Sequence, residues 1–314
     1  MQVEIFRGTA ANVNSYILID DHEVFLIDAL RNPAEAENLA NYIHMTGKPL
    51  RHVLITHGHP DHFMGLNVLR KHFPKASFLV AREGVKEDIV RHSLEMEKDG
   101  WLDGNPAFYP FEGDPGMKSL CRVNADGFDY EKELQVLPSN RMQLGSGAEV
   151  QFTTLYQPTE CAHMTLTYIP AINVFFTADL VYHKMFPWMG KGVERTHVHN
   201  WIHALRQLQQ AYLPQLPSIY PGHGKPGEFH LLEDQVDFLN DFLSVVDQAP
   251  SEYEAVATLI RKYPDYYQRE FILPSSVANF MKDDQPADKK DFRNVYTMRS
   301  SANDYRKTIG RRVL

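Results

Sequence analysis

The 314-residue sequence has little of what marks a disulfide-stapled, secreted or membrane-spanning protein. Only two cysteines occur, Cys121 and Cys161, which excludes a disulfide framework and a cysteine-rich metal site. No apolar run approaches the roughly 20 residues that cross a bilayer. The first residues lack the basic and apolar regions of a signal peptide. We therefore expect a cytoplasmic protein that does not engage a membrane.

Positive charge is also scarce. The chain has 32 Lys and Arg against 40 Asp and Glu, for a formal net charge of −8, which disfavours nucleic acid as a partner and leaves a small-molecule substrate as the expectation. A hydrophobic content of 43% in this length is enough for one large domain with an appendage or for two small domains. Histidine, by contrast, is frequent, with 15 residues.

Four residues with metal-ligating side chains occur within one stretch of six positions. The apolar run 53–55 predicts a short buried strand before them, and apolar residues at helical spacing over 64–69 predict a helix after them. Imidazole nitrogen and carboxylate oxygen are ligands of ions such as Zn²⁺. The first two histidines alternate along an extended backbone and can hold one ion, while the aspartate and the last histidine can face a second. These residues are His57, His59, Asp61 and His62.

The pattern His-x-His-x-Asp-His after a β-strand resembles the signature of the metallo-β-lactamase superfamily. The resemblance implies an α+β fold, a four-layer αββα sandwich, and three further ligands along the chain. His163, Asp179 and His223 stand where it places them, in a loop between strands, after an apolar strand and at a strand end. Cys161 is an alternative thiolate ligand that ranks below His163.

The resemblance also assigns these seven residues to two divalent metal ions. Zinc is the first expectation, with iron and manganese as alternatives. Asp179 would bridge both ions. The first ion would be held by His57, His59 and His163, and the second by Asp61, His62 and His223.

The same resemblance predicts the organisation of the rest of the chain. A metallo-β-lactamase-like domain is expected over 1–230, with an insertion at about 83–143 that forms a partial lid over the site or a plain spacer. The residue pattern itself, with predicted helices over 231–246 and 251–263, indicates a C-terminal helical extension over 231–314. Asp28, at the end of a predicted strand, either supports the metal site or caps the helix that follows.

The resemblance implies hydrolysis. Two ions sharing Asp179 would share a water, lower its pKa and present hydroxide as the nucleophile. Asp61 and Asp179 are the candidates to orient that water or receive its proton. Tyr182 lies three residues after Asp179, a spacing that resembles acyl-homoserine lactonases, in which the phenol donates to the substrate. It could equally be a packing aromatic.

The substrate is less well defined by the sequence. A small ester-like molecule (lactone, thioester or ester) is the leading prediction, and residues 185–189 are expected to give the pocket an apolar wall. A phosphodiesterase is the rival enzyme. A metal-binding regulatory protein with weak turnover is the alternative outside the enzymes, and a homodimer is left open.

Overall fold

The computed structural model describes residues 1–98, 128–155 and 157–281. Within them, two β-sheets pack face to face, and helices cover the outer side of each sheet. The predicted α+β sandwich with four layers is confirmed. Within these described ranges, no helix combines the length and the apolar character that a membrane span requires.

The first sheet has six strands in sequence order. Its first three strands pair antiparallel and the following ones pair parallel. The parallel strands bring their carboxyl ends to one edge, where loops carry side chains toward the site. The strands are β1 (Gln2–Arg7), β2 (Asn14–Ile19), β3 (Val24–Ile27), β4 (Leu50–Leu54), β5 (Ser77–Val80) and β6 (Leu134–Val136).

The second sheet has five strands in the order β11-β10-β9-β8-β7. β10 pairs parallel with β11, and the other neighbours pair antiparallel. β10 is buried along its whole length, because the first sheet lies on one face and helices lie on the other. The strands are β7 (Arg141–Gln143), β8 (Glu149–Leu155), β9 (Met164–Ile169), β10 (Val174–Tyr182) and β11 (Ser218–His223).

Nine helices surround the sheets in the described residues. Helices α1, α3 and α4 contribute to the hydrophobic cluster outside the first sheet, and α6 to α9 contribute to the cluster outside the second. The helices are α1 (Pro33–Met45), α2 (Pro60–Phe63), α3 (Leu66–His72), α4 (Glu83–Lys98), α5 (Tyr130–Glu133), α6 (Arg195–Tyr212), α7 (Leu231–Gln248), α8 (Glu252–Lys262) and α9 (Ile272–Met281).

Side chains that point alternately to the two faces of each strand explain why the sheets and helices pack in layers. In β2, Tyr16 and Leu18 enter the core between the sheets, whereas Ile17 points to the helices outside. β3 repeats the pattern with Phe25 between the sheets and Leu26 outside. Side chains of successive residues point to opposite faces of a strand, so a sheet that is apolar on both faces is buried on both.

The predicted insertion has regular secondary structure near both of its ends. Its first 16 residues form α4, with Val85 and Ile89 buried in the core, and β6 near its end joins the first sheet. The lid prediction concerns mainly residues 99–127, which lie outside the described residues.

The C-terminal helices share a hydrophobic cluster with the second sheet. Leu239 of α7 and Val277 of α9 are fully buried in the same cluster as Leu166 of β9. The Ser251 side chain accepts a hydrogen bond from the Glu254 N–H and so caps the start of α8. The predicted end of the extension, residues 282–314, lies outside the described residues.

Candidate metal centre

The histidine-rich loop lies at the edge of the first sheet where β4 ends. Pro60 occupies the first turn of α2, where its missing N–H costs nothing, and His59 stands in the extended N-cap position before it. His57 pairs with Met164 of the second sheet through an isolated β-bridge. The loop is therefore fixed from both sheets.

One group of potential ligands forms around the first two histidines. His57 Nε2 lies 3.8 Å from Asp179 Oδ2 and 4.0 Å from Glu160 Oε2. His59 Nδ1 lies 2.9 Å from Glu160 Oε1. One ligand atom from each of these four side chains lies within 4.8 Å of the others, the spacing of a group that could hold an ion.

A second group forms on the other side of Asp179. His223 Nε2 lies 3.5 Å from Asp61 Oδ2 and 3.2 Å from Asp179 Oδ2. His62 Nε2 lies 3.9 Å from Asp61 Oδ2 and 3.3 Å from Asp179 Oδ1. Asp179 therefore touches both groups, as expected of a bridging carboxylate.

The structure does not bring His163, predicted as the third ligand of the first ion, into either group. Its Nδ1 pairs with Asp88 Oδ2 of α4 at 2.8 Å, and its side chain is 33% exposed. Its ring lies against Gly84, at the start of the same helix, where a Cβ would come within 2.8 Å of it. Cys161, the alternative, turns its Sγ to the His163 carbonyl oxygen at 3.3 Å.

Glu160 takes the place that the sequence analysis gave to His163. Its side chain is fully buried, although carboxylates are rarely buried without a partner. The Thr159 N–H donates to the Cys161 carbonyl at 2.9 Å, closing a tight turn around Glu160. The one signal in the sequence was an acidic residue in the loop where the third ligand was sought.

Four buried atoms of the two groups make no hydrogen bond. Burying polar atoms without partners costs free energy, so a cluster of them that converges on one place marks a site for a further group. Nitrogen and oxygen donors of this kind suit a divalent metal ion. The residues present therefore fit the metals that the sequence predicted. The atoms are His57 Nε2, His62 Nε2, Glu160 Oε2 and Asp179 Oδ1.

The second nitrogen of each buried imidazole is held by a neighbour. His62 Nδ1 pairs with Asp28 Oδ2 at 2.8 Å, and His223 Nδ1 pairs with the Asn12 carbonyl at 3.2 Å. His57 Nδ1 lies 3.0 Å from a threonine hydroxyl. Such contacts fix the ring orientation and direct Nε2 toward the centre.

Asp28 supports the centre and does not cap the next helix. It accepts from the Thr56 N–H at 2.9 Å and from the Thr56 hydroxyl, besides pairing with His62. The cap of α1 is Asn32, whose side chain accepts from the Glu35 N–H. Of the two roles left open for Asp28, the structure selects support of His62.

The electrostatics of the centre follow from burial and close opposite charges. Burial alone would raise the pKa of Asp179, but His223 and His62 hold it well below its usual range. Burial alone would lower the pKa of His59, but Glu160 raises it to about 9. Each of these partners favours the charged form of the other.

Tyr182, which the sequence analysis left as either a donor to the substrate or a packing aromatic, has its hydroxyl beside the first ligand group. Its hydroxyl donates to Asp179 Oδ2 at 2.7 Å and to Glu160 Oε1 at 3.2 Å. Burial, together with the negative charges of Asp179 and Glu160, raises the pKa of the phenol well above its usual value. The hydroxyl is therefore protonated and available as a donor.

Most of residues 185–189, predicted to form an apolar wall of the pocket, are buried in the hydrophobic core. Met185, Phe186 and Met189 are buried in the cluster between the second sheet and its helices. Trp188 is half-buried and stacks on Phe271 with 6.1 Å between ring centroids. The sequence showed that this segment is apolar, but only packing shows that most of it belongs to the core.

Two known proteins resemble short stretches of this chain in sequence. YobT, an uncharacterized protein of Bacillus subtilis (strain 168), is 38% identical over 69 residues, which are 22% of this chain and 29% of that protein. Hydroxyacylglutathione hydrolase 1 of Vibrio vulnificus (strain YJ016) is 32% identical over 84 residues, 26% of this chain and 32% of that protein. The matches thus span less than a third of the length of these relatives.

Solved structures resemble the chain over a longer stretch. A metallo-beta-lactamase from Pontibacter korlensis superposes with a TM-score of 0.51 at 16% identity, covering 76% of this chain and 99% of that one, a likeness of fold. The model of the metallo-beta-lactamase superfamily matches residues 8–223, which include both ligand groups. The chain belongs to the metallo-beta-lactamase superfamily.

Proposed function

We propose that this chain hydrolyses a small ester-like molecule (a lactone, thioester or ester) at a centre of two metal ions. Members of its superfamily are metal-dependent hydrolases. The position of Asp179 carries the proposal. Its Oδ1 lies 3.3 Å from His62 Nε2 of one group, and its Oδ2 lies 3.8 Å from His57 Nε2 of the other. A carboxylate placed between two ligand groups suits a pair of ions.

Each group supplies two imidazoles, one carboxylate of its own and a share of Asp179. Bound there, the two ions would supply an activated water and stabilise negative charge that develops on a substrate oxygen. The first ion would be held by His57, His59, Glu160 and Asp179, and the second by Asp61, His62, His223 and Asp179.

Asp61 is the carboxylate best placed to handle a proton. Its side chain is 19% exposed, whereas that of Asp179 is 2% exposed. The Asp61 carboxylate can therefore meet a water or a substrate that enters the site, and it can accept the proton that the attacking water loses. Asp179, enclosed between the two groups, orients its neighbours.

Tyr182 is the proposed donor to the leaving group. Its hydroxyl is protonated and lies between Asp179 and Glu160. To donate to a departing oxygen, it exchanges one of these two acceptors for the substrate. An alkoxide needs such a donor more than a thiolate does, because the thiolate is the more stable anion.

The substrate class is supported by one of the similar proteins. The Vibrio vulnificus relative is named as a hydrolase of hydroxyacylglutathione, in which an acyl group is carried on a thiol. An activated water with a neighbouring proton acceptor and a phenol donor suits acyl transfer to water in general. The proposal therefore includes oxygen esters and lactones beside thioesters.

Metal analysis and a substrate panel test the proposal. Purified protein should bind two equivalents of a divalent ion, and Asp179→Ala should lose at least one. His59→Ala should lower hydrolysis by several orders of magnitude while the fold is retained, because His59 belongs to the first group. His203→Ala, which removes an exposed imidazole on α6, is the matched control and should change neither property.

The panel contains a lactone, an oxygen ester, a thioester, a β-lactam and a phosphodiester. Preferred turnover of one of the first three supports the proposal. Preferred turnover of the phosphodiester or the β-lactam contradicts the substrate class. A protein that saturates with a single ion contradicts the two-ion centre, and one that binds two ions yet turns over nothing in the panel favours the regulatory alternative.

A further inference from the structure

We infer that Glu160 sets the metal preference of the centre. The resemblance implies a histidine, His163, as the third ligand of the first ion, but the structure has the carboxylate of Glu160 there. Both ion sites then have the same donor set. That set suits manganese or iron better than the set with His163 would. The inference rests on the two-ion centre of the proposed function. It concerns metal selection, which the proposed reaction leaves open.

The contacts of Glu160 are those of a ligand with one oxygen held and one oxygen available. Oε1 accepts from Tyr182 at 3.2 Å and lies 2.9 Å from His59 Nδ1. Oε2 makes no hydrogen bond, is fully buried and lies 4.0 Å from His57 Nε2. A buried carboxylate oxygen without a partner is costly unless a cation meets it.

With Glu160, the two sites become alike. Each site has two imidazoles and one carboxylate of its own, completed by Asp179. With His163 in its place, the first site would have three imidazoles and no carboxylate of its own. Two histidines with one carboxylate is the donor set of many non-haem iron sites, and carboxylate oxygen suits manganese.

The side chains that would favour zinc at the first site point elsewhere. Cys161 Sγ is directed to the His163 carbonyl oxygen, and His163 Nδ1 is directed to Asp88. The described residues contain no thiolate or third imidazole within the first group.

A metal competition experiment measures this preference without any substrate. Metal-free wild type, Glu160→His, Glu160→Gln and His163→Ala are equilibrated with buffered zinc chloride and manganese chloride, and bound metal is counted by elemental mass spectrometry. Because divalent ions share a general order of affinity, the informative quantity is the change in the zinc-to-manganese ratio between variants.

Glu160→His should raise the zinc-to-manganese ratio, because imidazole suits zinc and carboxylate suits manganese. Glu160→Gln, which keeps the shape and removes the charge, should lose manganese more than zinc. His163→Ala, the matched control, should keep two ions and the wild-type ratio.

Two outcomes overturn the inference: equal ratios in wild type and both Glu160 variants, or loss of an ion in His163→Ala but not in Glu160→Gln. A wild type that binds neither metal defeats the two-ion centre and this inference together. A wild type that shows the expected shift in ratio, but hydrolyses nothing in the substrate panel, defeats only the proposed reaction.

Discussion

The ring of Tyr182 lies parallel to the imidazole of His223, with 5.0 Å between ring centroids and 3° between the ring planes. The same tyrosine donates its hydroxyl to Asp179. One side chain therefore contacts a histidine of the second ligand group and the carboxylate between the groups. Its ring and its hydroxyl have separate roles, which a single-atom change can distinguish.

Tyr182→Phe should slow hydrolysis of oxygen esters much more than hydrolysis of thioesters. Removing one donor to a developing oxyanion costs about 2.7–4 kcal/mol, whereas a thiolate departs readily without help. The ring is retained, so stacking on His223 should persist. Rates are measured on fully loaded protein, with metal content verified. Tyr168→Phe, which removes a hydroxyl bound to Asn173 in the turn between β9 and β10, serves as control.

If the Phe variant holds two ions and handles both substrate types like wild type, Tyr182 has no role in the reaction. Equal losses on both types, accompanied by weaker metal binding, would instead mean that the hydroxyl acts only by holding Asp179 and Glu160.

Gly222→Ala should abolish binding of at least one ion. A Cβ at this position would lie 1.9 Å from Asp179 Oδ1 and 2.9 Å from the Ala178 carbonyl carbon, so the Asp179 carboxylate would be displaced. Gly47→Ala is the control, because a Cβ there meets nothing within 4 Å and its strain comes from a φ of +68° alone. That strain costs about 1–2 kcal/mol.

Metal content and the free energy of unfolding are measured for both alanine variants. Gly47→Ala should lose stability and keep its ions. Full metal binding by a folded Gly222→Ala protein would show that Asp179 tolerates displacement, against the bridging role proposed for it.

Asp28→Asn should weaken metal binding by about 10- to 100-fold, the usual effect of losing a group that orients a ligand. The Asp28 carboxylate pairs with Nδ1 of His62 and accepts two hydrogen bonds from Thr56. Chelator competition measures the affinity. The control is Asp20→Asn, which changes another buried carboxylate that accepts backbone hydrogen bonds. It should lower the free energy of unfolding without changing metal affinity. Equal affinity in the two variants would contradict a supporting role for Asp28.

Asp20 should contribute to the acid sensitivity of the fold. Burial alone would raise the pKa of Asp20, but the N–H groups of His22, Glu23 and Ser146 lower it. A folded-state pKa below the unfolded value, about 3.9, means that this stabilisation is present above that pH. It is lost as the pH falls through the folded-state pKa.

Chemical denaturation of the metal-free protein at several pH values between about 6 and 3 follows this loss across the usual range of Asp titration. The free energy of unfolding of Asp20→Asn should fall less steeply with acid than that of wild type. Asp21→Asn, at the exposed neighbour, should follow the wild-type slope. An Asp20→Asn protein with the wild-type slope would show that the backbone contacts persist with a protonated carboxyl.

The sequence by itself determined the parts of the centre that local chain geometry controls. The ligand loop at 57–62 follows a buried strand and precedes a proline-started helix, which keeps its four ligand side chains at one edge of the first sheet. Asp179 and His223 each stand near the end of an apolar strand, where the sheet edge brings them together. The sandwich itself was implied by the resemblance of this ligand pattern to the metallo-β-lactamase superfamily, and the structure confirms it.

Tertiary structure alone decided which residue of the loop after β8 faces the centre. Glu160 and His163 are both polar, and both are close enough in sequence to serve. The pairing of Met164 with His57 and the turn closed by Thr159 point Glu160 inward and leave His163 to Asp88 of α4. Residue spacing does not record the direction of a side chain in an irregular loop, because that direction depends on contacts with elements distant in sequence.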